Sequence, residues 1–555
     1  MDEQSSPATT DLEIAWHSID WRKVNRRVRR LQARIVKAAK AGKWRRVRKL
    51  QRLLVGSFSG KALAVRRVTE NQGSRTPGVD GERWNTPEAK TRAVYSLKGS
   101  DYQPKPLKRI YIPKANGKKR PLGIPTMKDR AMQALHLLAL EPIAETYADP
   151  NSYGFRRGRA TRDAAEQLYI ALGRKWGAKW ILDADIAGCF DNISHEWLIE
   201  YIPMDKGILR KWLKSGFMEK QRLFPTEQGT PQGGIISPVL ANMTLDGMEK
   251  ALETRFRWCK SAAIKNQVNL VRYADDFIIT GRTEEHLKEA KRIVIDFLKE
   301  RGLSLSEEKT RIVTIEQGFD FLGWNIRKYS GKLLIKPAKN NVHKHLQKIR
   351  NTIKEMQGNE QKDLIEKLNP IIKGWTNYHA NQVSKKVFAK TSHETWKALW
   401  KWAKQRHPVK GLKWIKKRYF HREESRDWIF GYKDGNGKWV NLHKHADTHI
   451  TRHVKVKAEA NPFDPTWETY WEERDKQLAN RTFYGKVKSL WKRQEGECPI
   501  CRESIRVGDE FNIHHIIRRT NGGGETLDNL QLLHANCHRQ IHANEGKKRE
   551  QSDSH

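Results

Sequence analysis

Tyr273-Ala274-Asp275-Asp276 lies between Val268-Asn269-Leu270-Val271-Arg272 and Phe277-Ile278-Ile279. Both flanks are rich in the β-branched and apolar side chains that favour extended backbone. The stretch therefore reads as strand, tight turn, strand, with two carboxylates at the tip. Adjacent aspartates repel each other, and nothing in a turn compels the pair. Hard oxygen donors that must hold a divalent cation such as Mg²⁺ supply a reason. Chance places a Tyr-any-Asp-Asp string in about one chain in thirty of this length. The hairpin gains meaning only alongside a third carboxylate and a scaffold for nucleic acid.

Charge supplies the partner. The chain carries 106 Lys and Arg against 64 Asp and Glu, a formal net charge of +42 over 555 residues. An excess of this size points to a polyanion, and the length calls for about three to five structural units. No hydrophobic span or signal-like amino terminus is apparent, so a membrane partner is not expected. The five cysteines are Cys189, Cys259, Cys498, Cys501 and Cys537. Their odd number and terminal clustering fit a reducing compartment and a metal site better than a disulfide framework.

Along the chain, residues 1–15 are small, polar and acidic and are expected to be disordered. From Trp21, Val24, Val28, Leu31, Ile35 and Val36 recur at helical spacing among many Arg and Lys. This predicts two basic helices broken near Gly42, suited to nucleic-acid backbone. Arg109-Ile110-Tyr111-Ile112-Pro113-Lys114 and Arg120-Pro121-Leu122-Gly123-Ile124-Pro125 flank Asn116-Gly117, the pattern of a hairpin. Lys114 and Arg120 could project from it to a triphosphate. Trp180-Ile181-Leu182-Asp183-Ala184-Asp185-Ile186 reads as a buried strand with acids in it, costly unless a cation pairs with them. Asp185 is the choice for the third carboxylate; Asp183 and Asp191 compete, with salt-bridge or capping roles favoured for both. Tyr153-Gly154-Phe155-Arg156 has no reading from local physics alone. Gly229-Thr230-Pro231-Gln232-Gly233-Gly234 is a loop whose glycines permit close approach of backbone or ligand.

The hairpin through Arg120, the strand with Asp185, the Pro231-Gln232-Gly233-Gly234 loop, Tyr273–Asp276, Ser306-Glu307-Glu308-Lys309-Thr310 and Phe321-Leu322-Gly323-Trp324 resemble, in order and spacing, the blocks of group II intron-encoded reverse transcriptases. The resemblance spans roughly 60–330. It implies that Asp185, Asp275 and Asp276 share two Mg²⁺ ions, that Phe190 excludes ribonucleotides, that Gln232 lies near nucleotide and template, and that Lys309 lies near the phosphates. Residues 340–419, with Trp375, Trp396, Trp400, Trp402 and Trp414, are similar to the thumb, or maturase, domain of the same family. Trp396 and Trp400 share a helix face at i,i+4, which favours core over base stacking, while Lys401, Lys404 and Arg406 suit phosphates.

At the carboxyl end, Cys498-Pro499-Ile500-Cys501 and His534-Ala535-Asn536-Cys537 are two knuckles of zinc spacing. His538 and His542, at i,i+4 on a predicted helix, can reach one metal. With His514-His515 and Asn529, the segment resembles the HNH endonuclease module. The resemblance implies structural Zn²⁺ on Cys498, Cys501, His534 and Cys537, and a catalytic divalent ion, taken as Mg²⁺, at His514, His538 and His542. It also implies His515 as general base and Asn529 as an orienting residue. Many relatives have cysteine where His534 stands, and either His514 or His515 could be the base.

The expected fold is multidomain α+β: a right-hand polymerase with fingers and palm, an α-helical thumb, and a carboxyl-terminal ββα-metal module. The expected divisions are 1–15 disordered, 16–330 fingers and palm with basic helices over 16–60, 331–420 thumb, 421–485 a DNA-binding linker, 486–545 the HNH module and 546–555 a polar tail. The implied function is that of a multifunctional intron-encoded protein: RNA-directed DNA polymerase, splicing maturase and site-specific endonuclease serving target-primed mobility. Implied partners are the intron RNA in a ribonucleoprotein, target DNA and dNTPs, in bacterial cytoplasm with nucleoid association during mobility. The rival readings are a splicing cofactor with dormant centres and an intron-less cellular reverse transcriptase.

Overall fold

The computed structural model describes residues 15–552 except 114–116, 118, 220–221 and 231–232. Three helices open it: α1 (Trp21–Lys40), α2 (Trp44–Gly56) and α3 (Phe58–Thr69). In α1, Trp21, Val24, Val28, Ile35 and Val36 are buried, and most of the intervening arginines and lysines face outward, a one-sided stripe that packing against a core requires. The Lys23 N–H donates to the Asp20 carboxylate at 3.0 Å and caps the helix. The reversal into α2 passes through Gly42 at φ 65°, a left-handed conformation that costs glycine little.

Strands β1 (Leu107–Pro113) and β2 (Lys119–Ile124) form an antiparallel pair with Ile112 opposite Arg120. After β3 (Trp180–Asp185) come the short β4 (Phe217–Glu219) and β5 (Arg222–Phe224), which extend the first pair into a fingers sheet of order β2-β1-β4-β5. The palm sheet takes β6 (Asn269–Tyr273), β7 (Asp276–Gly281) and β8 (Arg311–Thr314) around β3, in the order β6-β7-β3-β8. Its central strands are buried on both faces. Helix Glu284–Lys299 covers one with Leu287, Ala290, Val294 and Leu298, and Ala165, Leu168 and Leu172 meet Ile181, Val271 and Ile278 on the other. That double burial explains why these strands are apolar runs instead of alternating patterns.

A meander of β9 (Phe319–Phe321), β10 (Trp324–Tyr329) and β11 (Lys332–Pro337) leads to the thumb helices Lys339–Glu355, Gln361–His379 and Lys385–Arg406. Their core continues past residue 420 into the sheet β12 (Phe420–Glu423), β13 (Arg426–Lys433) and β14 (Trp439–Asn441), because Phe420, Phe430 and Leu442 pack with Leu368, Leu399 and Trp402. Trp396 and Trp400 set their rings edge-on against Trp428, at 5.5 and 5.1 Å between centroids, and so belong to this core.

From the thumb the chain returns over the palm. His453 and the Val456 N–H bind Asp163 at 2.7 and 2.8 Å, and Arg159 reaches the carbonyls of Ala458 and Ala460. Helix Glu468–Thr482 then leads to β15 (Phe511–His515), β16 (Leu530–His534) and the last helix, Ala535–Ser552. These final elements pack back against the polymerase: Leu530, Leu532, Leu533 and Cys537 join the same buried cluster as Trp16, Trp21 and Val65. The fold is thus a multidomain α+β assembly. Among the described residues no helix is long and apolar enough to cross a membrane.

Candidate active sites

The palm centre is built by register. Antiparallel pairing of β3 with β7 sets Asp185 opposite Asp276, and β6–β7 pairing sets Tyr273 opposite Asp276. That leaves Ala274 and Asp275 as the turn, with Ala274 at φ 58°. Facing residues in such a ladder have Cβ atoms about 5 Å apart, so the three carboxylates share one end of the sheet. Burial pushes Asp276 up to about 7, and a hydrogen bond with Asp185 and the charge of Asp275 push the same way. Asp275 is raised as well, chiefly by burial. These are acids short of positive charge. Lys309 supplies some: its Nζ donates to Asp185 Oδ2 at 2.5 Å. It is brought there by the preceding loop, which bonds to the Asp185 carbonyl through the Ser306 N–H at 2.8 Å and pairs Leu305 with Ile186. Arg120 on β2 lies within electrostatic reach of Asp275. Lys114 and Gln232 fall outside the described residues.

Of the competing acids, Asp183 on β3 is matched by Arg311 on β8, whose Nε and Nη2 donate at 3.1 and 3.0 Å. Asp191 lines a cavity of ≈ 290 Å³ between palm and fingers together with Phe190, Arg109, Trp212 and Thr230. Phe190 meets Phe155 edge-on at 6.2 Å. The glycine loop holds the Phe190 segment: the Thr230 N–H donates to the Phe190 carbonyl at 2.6 Å, and a side chain at Gly229 would strike the Asp191 carbonyl oxygen at 2.4 Å.

Several residues that local sequence physics left silent support this centre. Gly154 presses so closely on the turn that a Cβ there would lie 2.4 Å from the Ala274 nitrogen. Asn242 donates to the Gly154 carbonyl at 2.8 Å. Arg272, wholly buried just before the turn, binds Asp246 at 2.5 Å and Asn242 at 3.2 Å. Burial pushes Asp246 up to about 7 against the pull of Arg272. An arginine inside an otherwise apolar strand was the available signal, since a buried guanidinium must have a partner.

The second centre lies in the carboxyl-terminal module and holds two groups. One donor atom from each of Cys498, Cys501, His534 and Cys537 comes within 4.8 Å of the others, all four residues being buried. His534 turns Nδ1 to Cys501 Sγ at 3.3 Å and Nε2 toward Asp509 Oδ2 at 3.7 Å. A ligating imidazole backed by a carboxylate is a common arrangement in zinc sites, and the Cys₃His donor set fits zinc. His514, His538 and His542 form the other group within the same limit; the ring nitrogens of His538 and His542 approach to 3.2 Å. Burial lowers His538 toward the neutral form that metals bind. The oxygens of Asp185, Asp275 and Asp276 do not gather this tightly among the described residues.

Alternation along β15 sends His514 and His515 to opposite faces. His515 Nε2 lies 3.0 Å from Glu525 Oε1. Glu525 is held down to about 2 by Lys486, His515 and Arg519. Asn529 ties the intervening loop together, accepting from the Ile517 N–H at 2.7 Å and donating to the Ile517 and Gly524 carbonyls at 3.0 and 2.9 Å.

A palm with three clustered carboxylates under a basic fingers sheet, joined to a histidine-rich metal module, defines a nucleic-acid polymerase carrying a nuclease. Residues 112–326 match the family described as reverse transcriptase (RNA-dependent DNA polymerase), and 16–97 match its N-terminal domain. Residues 342–420 match the group II intron maturase-specific domain, and 498–544 the HNH endonuclease. The chain is 33% identical over 327 residues to protein YkfC of Escherichia coli (strain K12), covering 51% of this chain and 84% of that one. It is 31% identical over 330 residues to the group II intron-encoded protein LtrA of Lactococcus lactis subsp. cremoris, covering 48% of this chain and 54% of LtrA. An uncharacterized 91 kDa protein in the cob intron of Schizosaccharomyces pombe (strain 972 / ATCC 24843) is 25% identical over 579 residues, covering 87% of this chain and 68% of that one. The chain belongs to the group II intron-encoded proteins, with reverse transcriptase, maturase and HNH endonuclease domains in one polypeptide.

Proposed function

We propose that the two centres act in sequence on one target. The nuclease module nicks DNA, and the palm extends the freed 3′-hydroxyl by copying RNA. Asp185, Asp275 and Asp276 would hold Mg²⁺, which when bound acidifies the primer hydroxyl and stabilises the leaving pyrophosphate. Lys309, Arg120, Lys114 and Gln232 orient the triphosphate and template, and Phe190, braced by Phe155, bars a 2′-hydroxyl. In the module, His515 takes a proton from the attacking water, with Glu525 holding its imidazole. His514, His538 and His542 would hold a divalent ion that polarises the phosphate, Asn529 keeps the loop in place, and Cys498, Cys501, His534 and Cys537 would hold structural zinc. The maturase domain and the basic face of α1 grip the intron RNA, so the working form is a ribonucleoprotein in the bacterial cytoplasm, associated with the nucleoid while it moves.

The observation that carries this reading is the facing pair Asp185 and Asp276 with Asp275 in the adjoining turn, a cluster of like charges that a divalent cation would stabilise in its ionised form. Primer extension by purified protein on an RNA template, with and without Mg²⁺, tests it. Asp275→Ala or Asp276→Ala should abolish cDNA synthesis while leaving RNA binding and splicing nearly intact; equal loss of both would refute separable sites. His515→Ala should stop nicking yet extend a supplied primer, and full nicking by that variant would remove it as the base.

A further inference from the structure

The nuclease module meets the polymerase fingers at the Cys₃His cluster itself. Gln540, three residues beyond Cys537, is buried and donates to the carbonyls of His17 and Ile19 at 3.1 Å each. Asn536, one residue before it, is 1% exposed; with its amide oriented to suit its neighbours it donates to Glu70 Oε1 at 3.0 Å and accepts from Trp21 Nε1 at 2.8 Å. Arg539 reaches the same Glu70 oxygen at 3.3 Å. Arg29 of α1 binds Glu503, on the first knuckle, at 2.8 Å. Both knuckles are therefore bonded to the fingers.

Arg66 stands at the centre of this contact. It leaves α3, binds Glu70 at 3.0 Å with both side chains less than a fifth exposed, and lies over the Trp21 ring at 4.8 Å. Glu70 in turn receives Asn536, the residue before Cys537, and Arg539, two residues after it, so Arg66 and the second knuckle share one carboxylate. The groups surrounding a metal's ligands typically tune its affinity by about 10–100-fold.

We propose that Arg66, by fixing Glu70 against Asn536 and Arg539, is a positioning residue for the Cys498–Cys501–His534–Cys537 metal site, holding the second knuckle in place from across the domain contact so that metal binding clamps the nuclease onto the fingers. The clamp also orients His538, the residue after Cys537. This inference rests on reading the cluster as a zinc site.

The test uses the full chain loaded with zinc and follows zinc transfer to a chromogenic chelator. Arg66→Met should release zinc at least tenfold faster than the parent, and Arg66→Lys at an intermediate rate. Arg52→Met, which removes an exposed arginine of α2, should match the parent. Limited proteolysis ahead of the module, near residues 483–486, should accelerate in Arg66→Met, while extension of a supplied primer persists and shows that the fingers are folded. Parent-like zinc release from Arg66→Met overturns the inference, as does loss of primer extension in that variant. A parent chain that takes up no zinc overturns instead the reading of the cluster.

Discussion

At the scale of single residues, the palm centre depends on residues packed behind its carboxylates. Gly154 is the sharpest case, because the backbone of the Tyr273–Asp276 turn occupies the space a Cβ would need. Gly154→Ala should lower polymerase activity by about 10²-fold, the cost of displacing reacting groups by roughly 1 Å, with circular dichroism unchanged. Unchanged activity would show that the turn can yield. Asp246→Ala removes the partner of an arginine with no exposed surface. Breaking such a pair costs about 3–5 kcal/mol, so the denaturant midpoint should fall accordingly. Local pattern gives little of either effect: Tyr153–Arg156 has no reading of its own, and Arg272 signals only that a partner must exist, because both act through contacts with residues far away in the chain.

At the scale of elements, the thumb hides a histidine cluster. His345 and His445 face each other at 2.8 Å between Nε2 atoms, and the His345 ring stacks on Trp375 at 4.3 Å. Burial lowers His345 to about 4, and His379 and His445 to about 3. In the unfolded chain these groups titrate near about 6.5. Above that pH both states are neutral and stability is full. As pH falls from about 6.5 toward 4 the unfolded state takes up protons first, so stability is lost through that window. Thermal melts between pH 7.5 and 4.5 should show Tm falling below about 6.5, and His445→Gln should flatten the fall. The thumb's helices were legible from their periodicity. The extension of its core into β12–β14 was not, since residues 421–441 have no clear period and owe their place to Trp396, Trp400 and Leu399.

At the scale of the molecule, the segment after the thumb is a strap across the palm. Its contact at Asp163 is 1% exposed and joined by His453 and Arg474. Trp471 fills the space beside Gly158, where a Cβ would lie 2.4 Å from the ring. Asp163→Ala should expose residues 450–475 to protease while leaving the palm folded; protection equal to the parent would show that other contacts hold the strap. Stripping the metal that the Cys498–Cys501–His534–Cys537 cluster would hold should act at the other end, abolishing nicking while primer extension remains, because the palm carboxylates share no ligand with the module. Concerted loss of both activities would mean that the module supports the palm as well.

By itself the sequence determined the chemistry and the order of the parts. The turn with Asp275 and Asp276, the strand with Asp185 and the cysteine and histidine spacings are local, because strand alternation and helical period set which neighbouring side chains share a face. Tertiary structure decided what brings these pieces to each other. The pairing of Asp185 with Asp276, the division of His514 and His515 between two partners, the buttress at Gly154 and the meeting of Glu70 with Asn536 and Arg539 all join residues tens to hundreds of positions apart, apart from the two histidines. Such contacts arise from sheet register and burial, which no window of sequence contains.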